Sequence, residues 1–133
     1  MRNLLIVGSL LLPPLAGMAG TPAVNSLLDE YTSQGASAPD AGRGQQLWIT
    51  KHVATTAPMQ RSCADCHSSD LRNKGKHVRT GKAIEPLAPS VNSNSLNDAR
   101  NIKKWLKRNC KWTLGRECSA QEKSDILVFI GQQ

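Results

Sequence analysis

Apolar positions along the chain follow the spacing of helices. In the segment from Ala23 to Thr32 they fall on one face of a predicted first helix: Val24, Leu27, Leu28 and Tyr31. The small and proline-containing stretch from Gly35 to Pro39 ends this helix. Little of the chain alternates with the period of two that would require a sheet. The pattern therefore predicts an all-α fold.

A second helix is predicted after Asp40, whose carboxylate can cap its first turn. Gly44 and Trp48 lie one turn apart on the same face of this helix. A small residue next to a large one suits the close approach of another helix. We therefore expect a helix crossing at Gly44.

Two more helices are predicted in the second half of the chain. Asp98 can cap the first, and Ser119 with Glu122 forms a capping box for the second. Their apolar positions are Ile102, Trp105 and Leu106 in the first and Ile126, Leu127, Phe129 and Ile130 in the second. Between Asp70 and Asn97 the chain is polar and broken by glycine and proline, which predicts a long loop.

The N-terminus has the pattern of an export signal. After Met1-Arg2 an apolar run extends from Leu4 to Leu15, and Gly17-Met18-Ala19 fits a small-x-small cleavage site. We predict a signal peptide over residues 1–19 and one domain over residues 20–133. Export implies a compartment where disulfides persist, which in a bacterium is the periplasm. The remaining chain predicts no stable membrane span after cleavage.

Composition changes this picture in two ways. The chain has only five aromatic residues besides histidine, so a buried cofactor would help to fill its core. Its formal net charge of +7 favours an anionic partner. Nucleic acid is not expected, because the basic residues lack interleaved aromatic residues and the predicted location is outside the cytoplasm. The basic helix positions therefore suggest either a docking face for an acidic redox partner or a solvated surface.

The candidate chemistry begins at Cys63-Ala64-Asp65-Cys66-His67, the C-x-x-C-H pattern that attaches c-type haem. Two thiols at this spacing reach the two vinyl-derived carbons of the porphyrin, and His67 becomes the proximal iron ligand. A thioredoxin-like redox pair is disfavoured because no βαβ pattern surrounds the motif. A zinc site is disfavoured because Cys110 and Cys118 have unsuitable spacing. The motif predicts one covalent haem c.

The ligand on the other side of the iron separates electron carriers from gas-binding proteins. No methionine follows Cys66, and Met59 lies only four residues before Cys63, which confines it near the attachment side. His52 and His77 lie in polar segments where a solvated histidine is the simpler interpretation, although ligation by a second imidazole stays open. The sequence therefore favours an open or weakly ligated iron.

Asn109 is the candidate for such a weak ligand. It continues the apolar stripe of the helix that starts after Asp98, at i+7 from Ile102. The alternative is an asparagine that ends the helix and hydrogen-bonds locally. A bond between Cys110 and Cys118 would close a short loop next to Asn109 and fix where it points.

At these residues the sequence resembles the sphaeroides haem protein family of high-spin class I c-type cytochromes. The resemblance covers the chain from about Asp40 onward. It is carried by Cys63–His67 (CADCH), Arg79–Ser90 (RTGKAIEPLAPS), Lys104–Cys110 (KWLKRNC) and Leu114–Cys118 (LGREC). It implies a class I cytochrome c fold, a Cys110–Cys118 disulfide, and His67 and Asn109 as axial ligands. It also implies that Asn109 leaves the iron on reduction, that oxygen or nitric oxide then binds, and that a dihaem cytochrome c donates electrons.

The expected function is thus a periplasmic monohaem cytochrome c that binds a diatomic ligand and exchanges electrons with a partner. Further haem contacts are predicted from the apolar residues of the loop and of the Asn109 helix: Ile84, Pro86, Leu87, Trp105 and Leu106. Two alternatives stay open. A simple electron carrier would need a strong second ligand, and a small haem enzyme, a peroxidase or oxygen reductase, would need a distal acid or base.

Overall fold

The computed structural model describes residues 20–53 and 59–133. These residues form five helices: α1 Pro22–Ser33, α2 Ala41–Ile49, α3 Ala64–His67, α4 Ala99–Leu114 and α5 Ala120–Gly131. They also form two short antiparallel ladders, in which β1 His52–Val53 pairs with β2 Gln60–Arg61 and β3 Gly75–Lys76 pairs with β4 Ala83–Ile84. The predicted signal peptide, residues 1–19, lies outside the described residues.

The helices begin where the capping residues predicted them to begin. The Asp40 carboxylate accepts a hydrogen bond from the Arg43 backbone N–H at 2.7 Å, and Asp98 caps α4 in the same way. Both hydrogen bonds of the Ser119–Glu122 capping box are present at the start of α5. Because these oxygens satisfy backbone donors that have no partner inside the helix, they fix each helix start.

The segment from Asp70 to Asn97 contains one ladder that the sequence analysis did not predict. The His77 N–H donates to the Lys82 carbonyl at 2.8 Å, and the Gly81 N–H donates to the His77 carbonyl at 2.8 Å. Gly75 packs so closely against α3 that a Cβ built on it would lie 2.0 Å from the Cys66 carbonyl oxygen. Strands of two residues are too short to carry a periodic signal, which is why the sequence pattern did not indicate this ladder.

Helix α4 continues past Asn109 to Leu114 and ends at Gly115, whose φ of 74° gives the left-handed cap that favours glycine. The interpretation of Asn109 as a helix-ending residue is therefore wrong. Cys110 likewise lies inside α4, so the loop to Cys118 starts within the helix and not at its end.

The crossing of α2 and α5 forms the centre of the core. A Cβ built on Gly44 would lie 2.1 Å from the backbone oxygen of Asp125, so only glycine permits this approach. One turn later, the buried Trp48 ring packs 5.9 Å from the ring of Phe129. The small and large pair predicted on α2 thus forms the expected crossing.

The buried Asp125 carboxylate ties this crossing to the start of α2. It accepts hydrogen bonds from the Asp40 backbone N–H at 2.7 Å, from Arg43 Nε at 2.8 Å and from Gln121 Nε2 at 2.9 Å. Burial raises the pKa of Asp125, but these hydrogen bonds outweigh it, so the pKa lies below its ordinary value. The carboxylate is therefore ionised and satisfied inside the fold.

Helix α1 covers one side of α5. Its buried face, Val24, Leu27 and Tyr31, packs with Leu127 of α5 in a second apolar cluster. By burying these apolar side chains, α1 stabilises the fold. Residues 20–39, which carry none of the quoted motifs, thus contribute a buried face to the core.

The Cys110–Cys118 disulfide is present, which confirms that prediction. Because haem attachment is predicted to use Cys63 and Cys66, we expect no free thiol in the native holoprotein. Replacing both Cys110 and Cys118 with serine should lower the free energy of unfolding by about 2–3 kcal/mol, since the short loop is released in the unfolded state. Alkylation followed by intact mass, together with urea unfolding, measures both effects. Two alkylatable cysteines in the native protein would contradict the first expectation.

Acid should weaken the start of α5. Hydrogen bonds from Arg116, at 2.8 Å on both Glu122 oxygens, outweigh partial burial and lower the pKa of Glu122 from 4.5 to about 2. In the unfolded chain the Glu122 carboxylate is protonated near pH 4.5. Its contribution to the free energy of unfolding is therefore fully present above that pH and is lost as the pH falls towards 2. We expect Glu122→Gln to cost on the order of 1–2 kcal/mol at pH 7, allowing for solvent around Arg116, and much less at pH 2.5.

Urea unfolding of both proteins at the two pH values measures this difference. Glu85→Gln is the matched control, because the Glu85 ion pair with Lys74 is exposed on both sides and should contribute little at either pH. An equal loss for Glu122→Gln at both pH values would contradict the titration.

Candidate functional site

The C-x-x-C-H motif lies on α3, which begins directly after Cys63. Asp65 holds this turn, because its carboxylate accepts the Ser62 backbone N–H at 2.8 Å and pairs with Lys51. Cys66 is buried and Cys63 is half-buried, and neither forms a disulfide. Two reduced thiols therefore lie one helical turn apart, next to His67.

His67 carries an unusual buried atom. Its Nδ1 is buried and has no hydrogen-bond partner among the described residues. Burial, with a smaller contribution from His77, lowers the pKa of His67, which favours the neutral imidazole that binds metals. A buried neutral imidazole, beside two free thiols at C-x-x-C spacing, matches the set of residues that attaches haem c. The residues present thus fit the group that the motif predicts.

Trp48 supports the chain immediately after His67. The indole ring lies 5.6 Å from the His67 ring, and its Nε1 donates to the Ser68 carbonyl at 3.0 Å. Ser68 has a φ of 71°, a left-handed conformation that is uncommon for serine. The hydrogen bond therefore helps to hold a strained turn. From the sequence, Trp48 was predicted only to pack at a helix crossing, because nothing local links residues twenty positions apart.

Helix α4 approaches the motif through Thr113. Burial raises the pKa of the Cys63 thiol to about 11, and the nearby hydroxyl of the buried Thr113 opposes part of this rise. Thr113 follows Asn109 by four residues on a continuous helix, so the two side chains project from the same face. Asn109 is half-buried and lies one turn before Thr113 on α4. Thr113 carries no sequence motif that would have indicated this role.

A second contact, between α4 and the two ladders, was also missed. The Arg61 guanidinium lies 3.9 Å from the centre of the Trp112 ring, and the His77 ring lies 5.9 Å from the same centre. The His77 Nδ1 accepts the Thr80 backbone N–H at 3.2 Å, which keeps this nitrogen inside its own turn. The C-terminal half of α4 is therefore anchored to the chain on both sides of the motif.

The further haem contacts predicted from the sequence divide into two groups. Four are half-buried: Ile84 on β4, Pro86 and Leu87 in the following loop, and Leu106 on α4. Leu87 and Leu106 pack against the same apolar cluster as Trp48. Trp105 differs, since it is 46% exposed and lies beside the charged groups of Lys104 and Arg108.

The other candidate ligands lie in less suitable surroundings. The Met59 side chain is 64% exposed, and the His52 Nε2 lies 3.4 Å from the Leu47 carbonyl oxygen. Cys110 and Cys118 are bonded to each other, so they are not available as zinc ligands. Within residues 20–53 and 59–133, no three His, Cys, Asp or Glu side chains converge as a metal site.

No helix in this part of the chain is long and apolar enough to cross a membrane.

Comparison with known sequences identifies relatives of this chain. A family described as "Domain of unknown function (DUF1924)" matches residues 34–130. The cytochrome c-type protein SHP of Cereibacter sphaeroides is 35% identical over 133 residues, which cover 100% of both chains. Cytochrome c'' of Methylophilus methylotrophus is 31% identical over 85 residues, covering 64% of this chain and 59% of that protein.

Solved structures agree with these relatives. The structure of oxidised SHP, described as an oxygen binding cytochrome c, matches with a TM-score of 0.74 and 34% identity, covering 86% of this chain and 99% of that one. The crystal structure of oxidised cytochrome c'' from Methylophilus methylotrophus matches with a TM-score of 0.70 and 29% identity, covering 81% and 92%. Both the resemblance and the class I fold inferred from the sequence are confirmed. This chain is a haem c protein that belongs to the SHP family of class I c-type cytochromes.

Proposed function

We propose that this protein binds oxygen or nitric oxide in its reduced state and that Asn109 is the displaceable ligand opposite His67. The observation that carries the proposal is that α4 borders the haem motif, because Cys110, the neighbour of Asn109, lies in the apolar cluster against which Cys63 and Ala64 pack. The haem would supply an iron that accepts an electron and that, once reduced, binds a diatomic ligand. Cys63, Cys66 and His67 would hold it.

The relatives support gas binding. SHP is described as an oxygen binding cytochrome c. A solution structure of the Methylophilus cytochrome c'' is described in terms of haem-ligand detachment, and it is 29% identical to this chain with a TM-score of 0.70. A ligand that detaches is the property that Asn109 would provide here, since an amide is a weaker ligand than imidazole or thioether.

The surroundings of Asn109 suggest how it would move. Cys110 is bonded to Cys118, and Trp112 packs against Arg61, so the backbone on the C-terminal side of Asn109 is held twice. The Asn109 side chain would therefore leave and return by rotation about its own bonds, without unwinding of α4. Trp48 would keep His67 in place during this exchange through its hydrogen bond to Ser68.

The remaining parts of the proposal concern location and partner. Residues 1–19 would be removed as a signal peptide, and residues 20–133 would form the monohaem domain in the periplasm. A dihaem cytochrome c, as the family resemblance implies, or another donor would supply electrons. Haem enzyme activity is not part of the proposal, because the His77 imidazole, the candidate acid or base, is engaged by its own turn.

Carbon monoxide distinguishes the proposed protein from a simple electron carrier. We expect the reduced holoprotein to bind carbon monoxide rapidly, because an amide ligand is easily displaced, while the oxidised protein shows no sulfur-to-iron charge-transfer band. Absorption spectra of both redox states, with and without carbon monoxide, measure this. A low-spin oxidised spectrum with that band, and a reduced protein that does not react, would support the carrier with Met59 as its ligand.

A further inference from the structure

Helix α4 carries six cationic side chains and no acidic one. They form two rows at four-residue spacing along the helix: Lys103, Lys107 and Lys111 in one row, and Arg100, Lys104 and Arg108 in the other. The spacing of each row makes it about 12 Å long. The two rows therefore carry equal charge on one helix, and they can be compared directly.

The first row is used inside the protein. Lys103 pairs with Glu30 of α1 at 2.7 Å. Lys107 and Lys111 both pair with Glu117 at 3.4 Å, and their charges lower the pKa of Glu117. These pairs connect α4 to its neighbours, so the fold itself accounts for the first row.

The second row, which we term the α4 basic stripe, has no such explanation. Among the described residues, no carboxylate lies within ion-pair distance of Arg100, Lys104 or Arg108, whereas each lysine of the first row has one. Like charges four residues apart destabilise a helix, and Arg100 lies in the first turn, where the helix dipole disfavours a cation. Because the stripe opposes helix formation, folding does not explain its presence.

Trp105 lies between these cations. The Lys104 Nζ is 5.6 Å and the Arg108 Cζ is 5.1 Å from the centre of its ring, and 46% of the residue is exposed. Tryptophan and arginine are enriched among the residues that dominate binding at protein interfaces. The contacts also order the two long cationic side chains before a partner arrives, which lowers the entropy cost of binding.

We propose that the α4 basic stripe, with Trp105, is the docking surface for an acidic face of the redox protein that donates electrons to this chain. The proposal rests on the electron exchange that the proposed function includes, and it names the surface where that exchange takes place. Arg108 directly precedes Asn109, so a partner on this stripe would lie next to the helix segment that faces the haem motif. Opposite charges would also speed the encounter of the two proteins.

Two double variants test the surface because they remove the same charge from the same helix. Lys104→Gln with Arg108→Gln removes two cations from the stripe, and Lys103→Gln with Lys107→Gln removes two paired cations from the first row. The probes are photoreduced flavodoxin, an acidic electron-transfer protein, and photoreduced lumiflavin, a small neutral molecule. Second-order rates of reduction of the oxidised holoproteins are measured at several salt concentrations by flash photolysis.

We expect the stripe variant to react with flavodoxin roughly tenfold more slowly at low salt, with a weaker salt dependence. Its rate with lumiflavin should not change, and the first-row variant should lose much less of the flavodoxin rate. Equal slowing in both variants would mean that total charge alone matters, and no slowing would mean that the partner docks elsewhere. A change in the lumiflavin rate or the absorption spectrum of the stripe variant would mean that these cations act on the haem. Each of these three results would overturn the proposal.

Carbon monoxide binding to the same variants separates this proposal from the proposed function. Both double variants should bind carbon monoxide as the unmodified protein does, because neither changes Asn109 or its face. If the unmodified protein does not bind carbon monoxide, the proposed function fails, while the flavodoxin rates still decide where a redox partner docks.

Discussion

Replacing Asn109 with alanine should open the oxidised protein to added ligands. Without the amide, nothing has to be displaced, so the apparent affinity for azide or imidazole should rise by about tenfold or more. Replacing Asn109 with histidine should have the opposite effect, because imidazole is a much stronger ligand than an amide. That variant should be low-spin and should not bind carbon monoxide when reduced.

Absorption titrations of the two variants measure these effects, and Asn101→Ala is the matched control. Asn101 lies on α4 but is exposed, so its removal should leave the spectrum and the affinities unchanged. An unchanged oxidised spectrum in Asn109→Ala would show that another residue is the ligand. His77 would then be the next candidate, followed by the loop asparagines Asn92, Asn94 and Asn97. Failure of Asn109→His alone is less informative, since the ring must fit beside Trp105.

Replacing Gly44 with alanine should destabilise the whole domain. The new Cβ would lie 2.1 Å from the Asp125 backbone oxygen and 2.8 Å from the Phe129 Cβ, so α2 and α5 would have to separate. Overpacking of a tight core costs up to about 3 kcal/mol, and here the obstacle is backbone, which cannot rotate away. We expect a loss of about 3 kcal/mol in the free energy of unfolding.

Gly42→Ala on the same helix is the control for this prediction. Its Cβ would approach only the Asp40 side chain, at 3.1 Å, and alanine is the better helix former by about 1 kcal/mol. Urea unfolding followed by circular dichroism compares the two variants. A Gly44→Ala protein as stable as the Gly42→Ala protein would mean that the helices adjust without cost.

The helices could be predicted from sequence because each is specified locally. Asp40, Asp98 and Ser119 cap the starts of three helices with their own side chains, and a period of 3.6 residues predicts which face is buried. The haem motif could be predicted for the same reason, since its spacing is local. The ladders are also local, since their paired residues are seven to nine positions apart, but strands of two residues are too short to show a period of two.

The position of Asn109 in α4 could not be decided from the sequence pattern alone. Periodicity placed it on the apolar stripe of α4, but the same pattern allowed a helix end, because the strength of the cap at Gly115 does not appear in the periodicity. Trp105 shares that stripe and nevertheless is 46% exposed beside Arg108. Thr113 carries no motif, and its relation to Cys63 depends on how α4 packs against the segment before α3.

The crossing of α2 and α5 has a consequence for how the chain matures. The Asp40 backbone N–H and the Asp125 carboxylate that accepts it are 85 residues apart, so this contact forms only after α5 has been synthesised. Until then, Trp48 has no Phe129 to pack against, and the segment with Cys63 and Cys66 is not enclosed. We therefore expect the two thiols to stay accessible for haem attachment until α5 packs against α2. A chain that folded from its N-terminus alone would bury this segment too early.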